Sequence, residues 1–186
     1  GVTSAGNDEA VEPTTSSMGA QQATTQIKKE AFSKGERDTR TARVIVWPQD
    51  PTLKPGDAFT LKIWILPGSV GISSGELKLG FDPMVFQVGR MKAGDLFGPD
   101  PIVAINEVDT SLGTAKLALA RMGKTEAPPQ EGTLAIIEIS VGSNVPNGDY
   151  QLTLNVKLAD QNFKAAPLTG TTASRITVSA NLPSGA

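Results

Sequence analysis

Hydrophobic and polar residues alternate along most of the chain from residue 42 onward, which is the period of a β-strand with one buried face. The clearest run is YQLTLNVKL at 150–158, in which apolar and polar side chains take turns throughout. Runs of this kind predict nine strands: 42–47, 58–66, 75–81, 84–89, 101–108, 114–121, 133–141, 150–158 and 174–180. Because each strand has an apolar face to bury, the pattern predicts an all-β, two-sheet sandwich with jelly-roll or Greek-key connections.

Turn residues separate the predicted strands. At Asp82-Pro83 one run ends and the next begins at once, since proline fixes φ and aspartate can bond to the nearby backbone. The two strands there are either hairpin partners or neighbours that cross from one sheet to the other. PNGD at 146–149 carries the strongest hairpin-type turn signal in the chain.

The two ends of the chain lack the alternation. Residues 1–41 are rich in Thr, Ser, Ala and Gln, with large apolar residues widely scattered, so they predict a flexible linker. We therefore expect the β-sandwich to occupy 42–180 and a short tail to occupy 181–186. The chain opens with GVTSAGNDEA, so we expect it to be a processed piece whose targeting signal is out of view.

Composition narrows the chemistry. The net charge is −2, so there is no basic field for nucleic acid, and no apolar run reaches the length of a membrane span. Histidine and cysteine are both absent, which removes the commonest general base, the thiolate nucleophile and the commonest transition-metal ligands. Most aspartates sit beside Gly or Pro in predicted turns. We expect no enzyme activity, cofactor or metal, although a hydrolase that uses only carboxylates stays open.

The stretch GFDPMVFQVGRMKAGDLF resembles the cohesin family, in which an alternating strand runs into (F/Y)DP and a later segment resembles GDLF. INEVDTSLGTAKLALARMG, EGTLAIIEISV and VPNGDYQLTLNVKLADQNF follow in the family's order, so the resemblance covers about residues 43–180. LALARMG followed by EGTLAIIEI is similar to the cohesin-like tail of some type II secretion secretins. The resemblance implies a nine-stranded sandwich that binds a protein partner, either a dockerin-like module or a secretion component, outside the cytoplasm.

The resemblance also implies where the partner docks, which is the sheet formed by the eighth, third, sixth and fifth strands. Small residues on the sixth strand leave a shallow centre there that suits a helix laid flat. The outward positions carried over from the family are Glu76, Lys78, Lys116, Ala118, Ala120, Gln151, Thr153, Asn155 and Lys157.

Trp64 supports an alternative. It falls on the polar side of its strand, so it is a candidate stacking platform for a sugar or an anchor for a protein partner. A carbohydrate-binding module is therefore the alternative function, although aromatic residues make up only 5% of the chain.

Overall fold

The computed structural model describes residues 40–123, 129–170 and 172–181. Most of the predicted N-terminal linker and of the C-terminal tail lies outside these residues. The described part is all-β, with eleven strands. They are β1 (Ala42–Trp47), β2 (Thr52–Leu53), β3 (Ala58–Leu66), β4 (Ser74–Gly80), β5 (Phe86–Ala93), β6 (Ile102–Asp109), β7 (Thr114–Ala120), β8 (Gly132–Val141), β9 (Gly148–Ala159), β10 (Leu168–Gly170) and β11 (Ala173–Val178).

The strands form two sheets. The six-stranded sheet has the order β2-β11-β9-β4-β7-β6, and the five-stranded sheet has the order β10-β1-β3-β8-β5. The long strands pair antiparallel, whereas β2 and β10 pair parallel with β11 and β1. These two short strands are the elements that the alternation did not predict, because two or three residues are too few to show a period.

The core lies between the sheets and contains the apolar side that the alternation identified. Leu61, Ile63 and Ile65 of β3 are all fully buried, as is Ile137 of the neighbouring β8. Leu77 and Leu79 on β4 and Leu152 on β9 approach them from the other sheet and are at most 1% exposed. The polar residues between these positions face outward, so the fold agrees with the predicted two-sheet sandwich.

The Asp82-Pro83 corner carries the chain from one sheet to the other. The carbonyl oxygen of Asp82 accepts hydrogen bonds from Val85 and Phe86, and its Oδ1 accepts one from the Met84 backbone at 2.9 Å. β4 belongs to the six-stranded sheet and β5 to the five-stranded sheet. Of the two interpretations of this corner, the crossing between sheets is therefore correct.

The PNGD segment differs from its hairpin signal. β8 and β9 lie in different sheets, so the connection crosses the sandwich instead of closing a hairpin. The Tyr150 hydroxyl donates a 2.7 Å hydrogen bond to the Pro146 carbonyl, which ties the end of the connection to the start of β9. Asn-Gly chemistry favours a tight turn, but it does not specify which strands the turn joins.

β6 also differs from the prediction, which gave every strand one buried face. It is the edge strand of the six-stranded sheet, and all its residues are exposed or half-buried. Ile102, Val103 and Val108 are among the exposed large apolar residues of the described chain. An edge strand has a neighbour on one side only, and its contact with the facing sheet includes a 2.9 Å hydrogen bond from Asn106 Nδ2 to the Met91 carbonyl of β5, so alternation does not produce a buried apolar face here.

Candidate functional site

The four strands that the resemblance singled out lie side by side as β9-β4-β7-β6 in the six-stranded sheet. Residues directly opposite on paired strands project to the same side of a sheet, so the register gives the layout of the outer face. That layout consists of rows that run across the strands. The rows are Ala159–Ser74–Ala120–Ile102, then Lys157–Glu76–Ala118–Ile105, then Asn155–Lys78–Lys116–Glu107, then Thr153–Gly80–Thr114–Asp109.

The β9, β4 and β7 members of the first two rows line a groove of about 390 Å³, which we call the apolar groove. Its floor is low because small side chains occupy it, among them Ala118 and Ala120 of β7 and Ser74 of β4. The rest of its lining consists of Gly75, Glu76, Ala104, Leu119, Lys157, Leu158, Ala159, Phe163 and Ala165. The groove extends across all four strands, and Ala118 and Ala120 lie at its centre.

The third row runs beside the apolar groove, and we call it the lysine row (Asn155, Lys78, Lys116 and Glu107). Lys78 and Lys116 are exposed and sit directly opposite each other on β4 and β7. Neighbouring strands lie about 4.8 Å apart, so two positive charges are held close together at the centre of the face.

Gln151 lies apart from the other predicted positions. Its partner is Arg175 of β11, because β9 pairs with β4 only from Thr153 onward. Eight of the nine predicted partner-binding residues therefore share one four-stranded face, and Gln151 flanks it.

Trp64 lies on the opposite sheet. It is half-buried on β3, opposite Ile45 of β1, so the thickness of the sandwich separates it from the apolar groove. Trp47 is a diagonal neighbour on β1 and is 63% exposed. Among the described residues, the aromatic rings in contact are those of Phe86 and Tyr150, so neither tryptophan forms part of a group of stacked rings.

Sequence reasoning missed three residues at this face. Ile105 and Glu107 were not assigned because β6 is exposed on both sides, so its pattern does not reveal which side is outward. Phe163 follows β9 in the DQNF segment and is 87% exposed. In the sequence, the feature that could have indicated Phe163 is its position as a single aromatic residue in a polar loop.

Asp57, Asp82, Asp109 and Asp160 take the turn roles that their neighbours predicted, whereas Asp95 and Asp149 accept hydrogen bonds from residues distant in the chain, Thr133 and Thr177. Asp57, Asp82, Asp95, Asp109 and Asp160 each accept at least one backbone hydrogen bond. The donors are Lys54 for Asp57, Met84 for Asp82, Thr133 for Asp95, Leu112 for Asp109, and Asn162 and Lys164 for Asp160. Within the described ranges, no group of three acidic side chains is placed to hold a metal ion.

Two hydrogen bonds hold the Asp109 carboxylate in the β6–β7 turn. The Ser111 hydroxyl donates a 2.7 Å hydrogen bond to its Oδ1, and the Leu112 backbone N–H donates another at 3.1 Å. These bonds stabilise the carboxylate, so they lower the pKa of Asp109 below its ordinary value of 3.8, the hydroxyl contributing most. The group is fully exposed and anchors the β6–β7 turn.

Comparison with known proteins identifies the fold. The family model of the cohesin domain matches residues 46–180. Among curated proteins, none matches the sequence. No helix of the described residues is long and apolar enough to cross a membrane.

Three solved structures illustrate the similarity. CaCohA2 from Clostridium acetobutylicum has 21% sequence identity and a TM-score of 0.61, and the match covers 77% of this chain and 94% of that one. The type I complex Coh-OlpA-Doc918 from Clostridium thermocellum has 17% identity and a TM-score of 0.60, with coverages of 75% and 99%. A non-cellulosomal cohesin from the hyperthermophilic archaeon Archaeoglobus fulgidus has 16% identity and a TM-score of 0.58, with coverages of 75% and 91%. At these identities the structures show a shared fold. The third is described as standing outside a cellulosome, and the second is a cohesin–dockerin complex.

Proposed function

Because the chain belongs to the cohesin family, we propose that it is a non-catalytic module that binds a protein partner of dockerin type. The partner docks on the outer face of β9, β4, β7 and β6. Solved relatives with this fold include cohesins in complex with dockerins, which supports this class of partner.

The apolar groove is the observation that carries this proposal. It is a concave, mainly small-residue surface on a sheet whose other side is already packed into the core. Polar and charged side chains border it, as expected for an interface with an apolar centre and a hydrated rim. A partner helix about 10 Å wide can lie on such a surface without any change in the sheet.

The setting of the module is part of the same proposal. Cohesin-like segments with the LALARMG pattern suggest an exported protein, so we place the domain outside the cytoplasm, in a secretion or cell-surface assembly. The coding sequence upstream of Gly1 tests this. A secretin pore or a scaffold repeat there supports the assembly, whereas a cytoplasmic enzyme contradicts it.

Substitution of Ala118 by Arg tests the docking face. We expect Ala118→Arg to weaken dockerin binding roughly 30-fold or more, because the new side chain fills the centre of the groove. The thermal midpoint should change little, since the Ala118 side chain points away from the core. Binding is measured by calorimetry against a panel that includes the dockerins CaDoc0917 and Doc918.

The matched control is Ala58→Arg, which places the same side chain on the exposed face of the five-stranded sheet. The control should bind like the parent protein. Equal binding by the parent and Ala118→Arg excludes this face. A large drop in the thermal midpoint of Ala118→Arg means that the wrong side of β7 has been taken as the core.

A further inference from the structure

The outer face of the five-stranded sheet carries both tryptophans of the chain. The strand register places two rows of outward side chains at its centre, and we call them the tryptophan strip. The rows are Ile45–Trp64–Thr133 and Trp47–Lys62–Ile136–Lys92. Trp47 is 63% exposed, whereas Ile45, Trp64 and Ile136 are half-buried. The strip therefore presents aromatic and aliphatic surface to solvent on the sheet opposite the proposed docking face.

A cleft of about 600 Å³ lies at the β5 end of the strip. Its lining consists of Lys92, Thr133 and Ile136 from the strip and of Ala93, Gly94, Asp95, Gly98, Pro99 and Pro101 from the end of β5 and the loop that follows. The Asp95 carboxylate accepts the Thr133 backbone N–H at 2.8 Å, which ties this loop to β8. A concave site of this volume, with an apolar lining and a few polar groups, has the character of a small-ligand site.

Two lysines give the strip a positive charge. Lys62 and Lys92 are exposed, and each lies opposite Ile136 from one of its neighbouring strands. On its other side Lys62 is opposite Trp47, while Lys92 lies on an edge strand. No acidic residue therefore faces either lysine across a strand pair. Within the part of the chain that the structure describes, neither lysine forms an ion pair.

Acidic residues lie around the strip but outside its two rows. Glu138 is in the next row, beside the bulge at residues 89–90 of β5, which contains an arginine. Glu131 precedes β8, and Asp95 and Asp100 belong to the loop after β5. The charges within the two rows are thus positive only.

This combination matches a sugar polymer that carries carboxylates. A sugar ring can pack its apolar face on an indole or an aliphatic side chain, and a carboxylate forms charge-assisted hydrogen bonds with an ammonium group. The row from Trp47 to Lys92 crosses four strands, or about 14 Å, which accommodates an extended chain.

Two other anionic partners fit less well. A lipid surface is disfavoured because Trp64 and Ile136 are half-buried in a sheet face and cannot penetrate a bilayer. Nucleic acid is disfavoured because the whole chain has a net charge of −2 and so offers no basic field to a dense row of phosphates.

We propose that the tryptophan strip binds an acidic polysaccharide, whose chain runs from Trp47 across Ile136 into the cleft. Sugar rings pack on these two side chains, and carboxylates face Lys62 and Lys92. The site is separate from the docking face, so the module can hold a protein partner and a polysaccharide on opposite sheets.

Tryptophan fluorescence of the complete 186-residue chain reports on this face, because both tryptophans lie there. The probes are polygalacturonate and its methyl ester, which share a backbone and differ in the charge of their carboxyl groups. At low salt, polygalacturonate should change the emission and bind about tenfold more tightly than the ester. Because exposed charges are screened, this preference should shrink strongly at about 0.5 M salt.

The double variant Lys62→Glu/Lys92→Glu should weaken polygalacturonate binding about tenfold and leave dockerin binding unchanged. The matched control is Lys78→Glu/Lys116→Glu, which makes the same change in net charge on exposed positions of the other sheet. The control should bind polygalacturonate like the parent protein. Trp47→Ala should weaken binding of both probes, measured by calorimetry.

Other outcomes overturn the inference. Equal affinity for polygalacturonate and its ester shows that the lysines do not select the ligand. Equal losses in the two double variants show that net charge, and not the strip, is responsible. Absence of binding at millimolar sugar concentration, or tighter binding of phosphatidylglycerol vesicles or of single-stranded DNA, removes the polysaccharide assignment. The docking proposal is unaffected by these results, because it is tested on dockerin binding by Ala118→Arg.

Discussion

At the scale of single residues, the local conformation of Phe163 and its exposure point to a role outside folding. A ring that is 87% exposed contributes little burial, yet its backbone is held at a φ of +64°. Strain of this kind persists where the surrounding structure imposes it, and here the Asp160 turn does so. A glycine would relieve the strain and remove the ring together.

We therefore expect Phe163→Gly to leave the free energy of unfolding within about 1 kcal/mol of the parent value, since relief of strain offsets added chain entropy. Dockerin binding should weaken at least fivefold, because Phe163 lines the apolar groove. Urea unfolding and calorimetry measure the two effects. Met84→Ala is the control, because Met84 is 86% exposed and lies beyond the other end of β4. Unchanged dockerin binding by Phe163→Gly would remove this residue from the proposed docking surface.

At the scale of elements, the β6–β7 turn connects the docking face to the Asp82-Pro83 corner. The Gly113 carbonyl accepts a hydrogen bond from Phe81 at 2.9 Å, and Gly113 itself has a φ of +69°. A Cβ at this position would lie 2.2 Å from the Phe81 carbonyl oxygen. The close approach of two turns therefore requires a glycine here.

Gly113→Ala should reduce the free energy of unfolding by about 2 kcal/mol or more, through an unfavourable φ and the contact with Phe81. Gly56→Ala separates the two causes, because Gly56 has a φ of +90° and nothing within 4 Å of an added Cβ. The control should lose only the conformational part, about 1–2 kcal/mol. Chemical denaturation of both variants measures this. Equal losses would mean that the backbone near Phe81 yields without cost.

Alternation along the chain predicted the long elements well, because a strand with one buried face must repeat every second residue. ARVIVW is β1 with the predicted bounds, and YQLTLNVKL lies within β9. Alternation did not predict the strands in which burial does not repeat every second residue. β6 is exposed on both sides, and β2 and β10 are too short for any period.

At the scale of the whole molecule, one core joins the two sheets while their outer faces remain free for other roles. Neighbouring residues on β8 show the difference. Ile137 is fully buried between the sheets, whereas Ile136 is half-buried on the outer face. On this strand the inner side chains form the core, and the outer side chains contribute much less to it.

Ile137→Ala should cost about 2–5 kcal/mol of unfolding free energy, because it leaves a cavity between the sheets. Ile136→Ala should cost less than half as much. Both variants should bind the dockerin partner with the parent affinity under conditions where they are folded, since the apolar groove lies on the other sheet. Thermal unfolding and anisotropy measure the pair. A similar cost for both substitutions would contradict the separation of core and surface.

The sequence by itself determined the class of fold, the order of the long strands along the chain, the turn roles of Asp57, Asp82, Asp109 and Asp160, and the family, which the match over 46–180 confirms. It could do so because period-two burial, turn chemistry and a contiguous motif are local properties of the chain. The nine predicted docking residues and the boundaries of the linker and tail remain predictions. The resemblance also implied that four of the strands share one sheet, but only the tertiary structure decided the full order and register of both sheets. It alone placed Lys78 opposite Lys116, brought Phe163 to the groove and separated Trp64 from it, because contacts between residues distant in the chain depend on strand pairing and register.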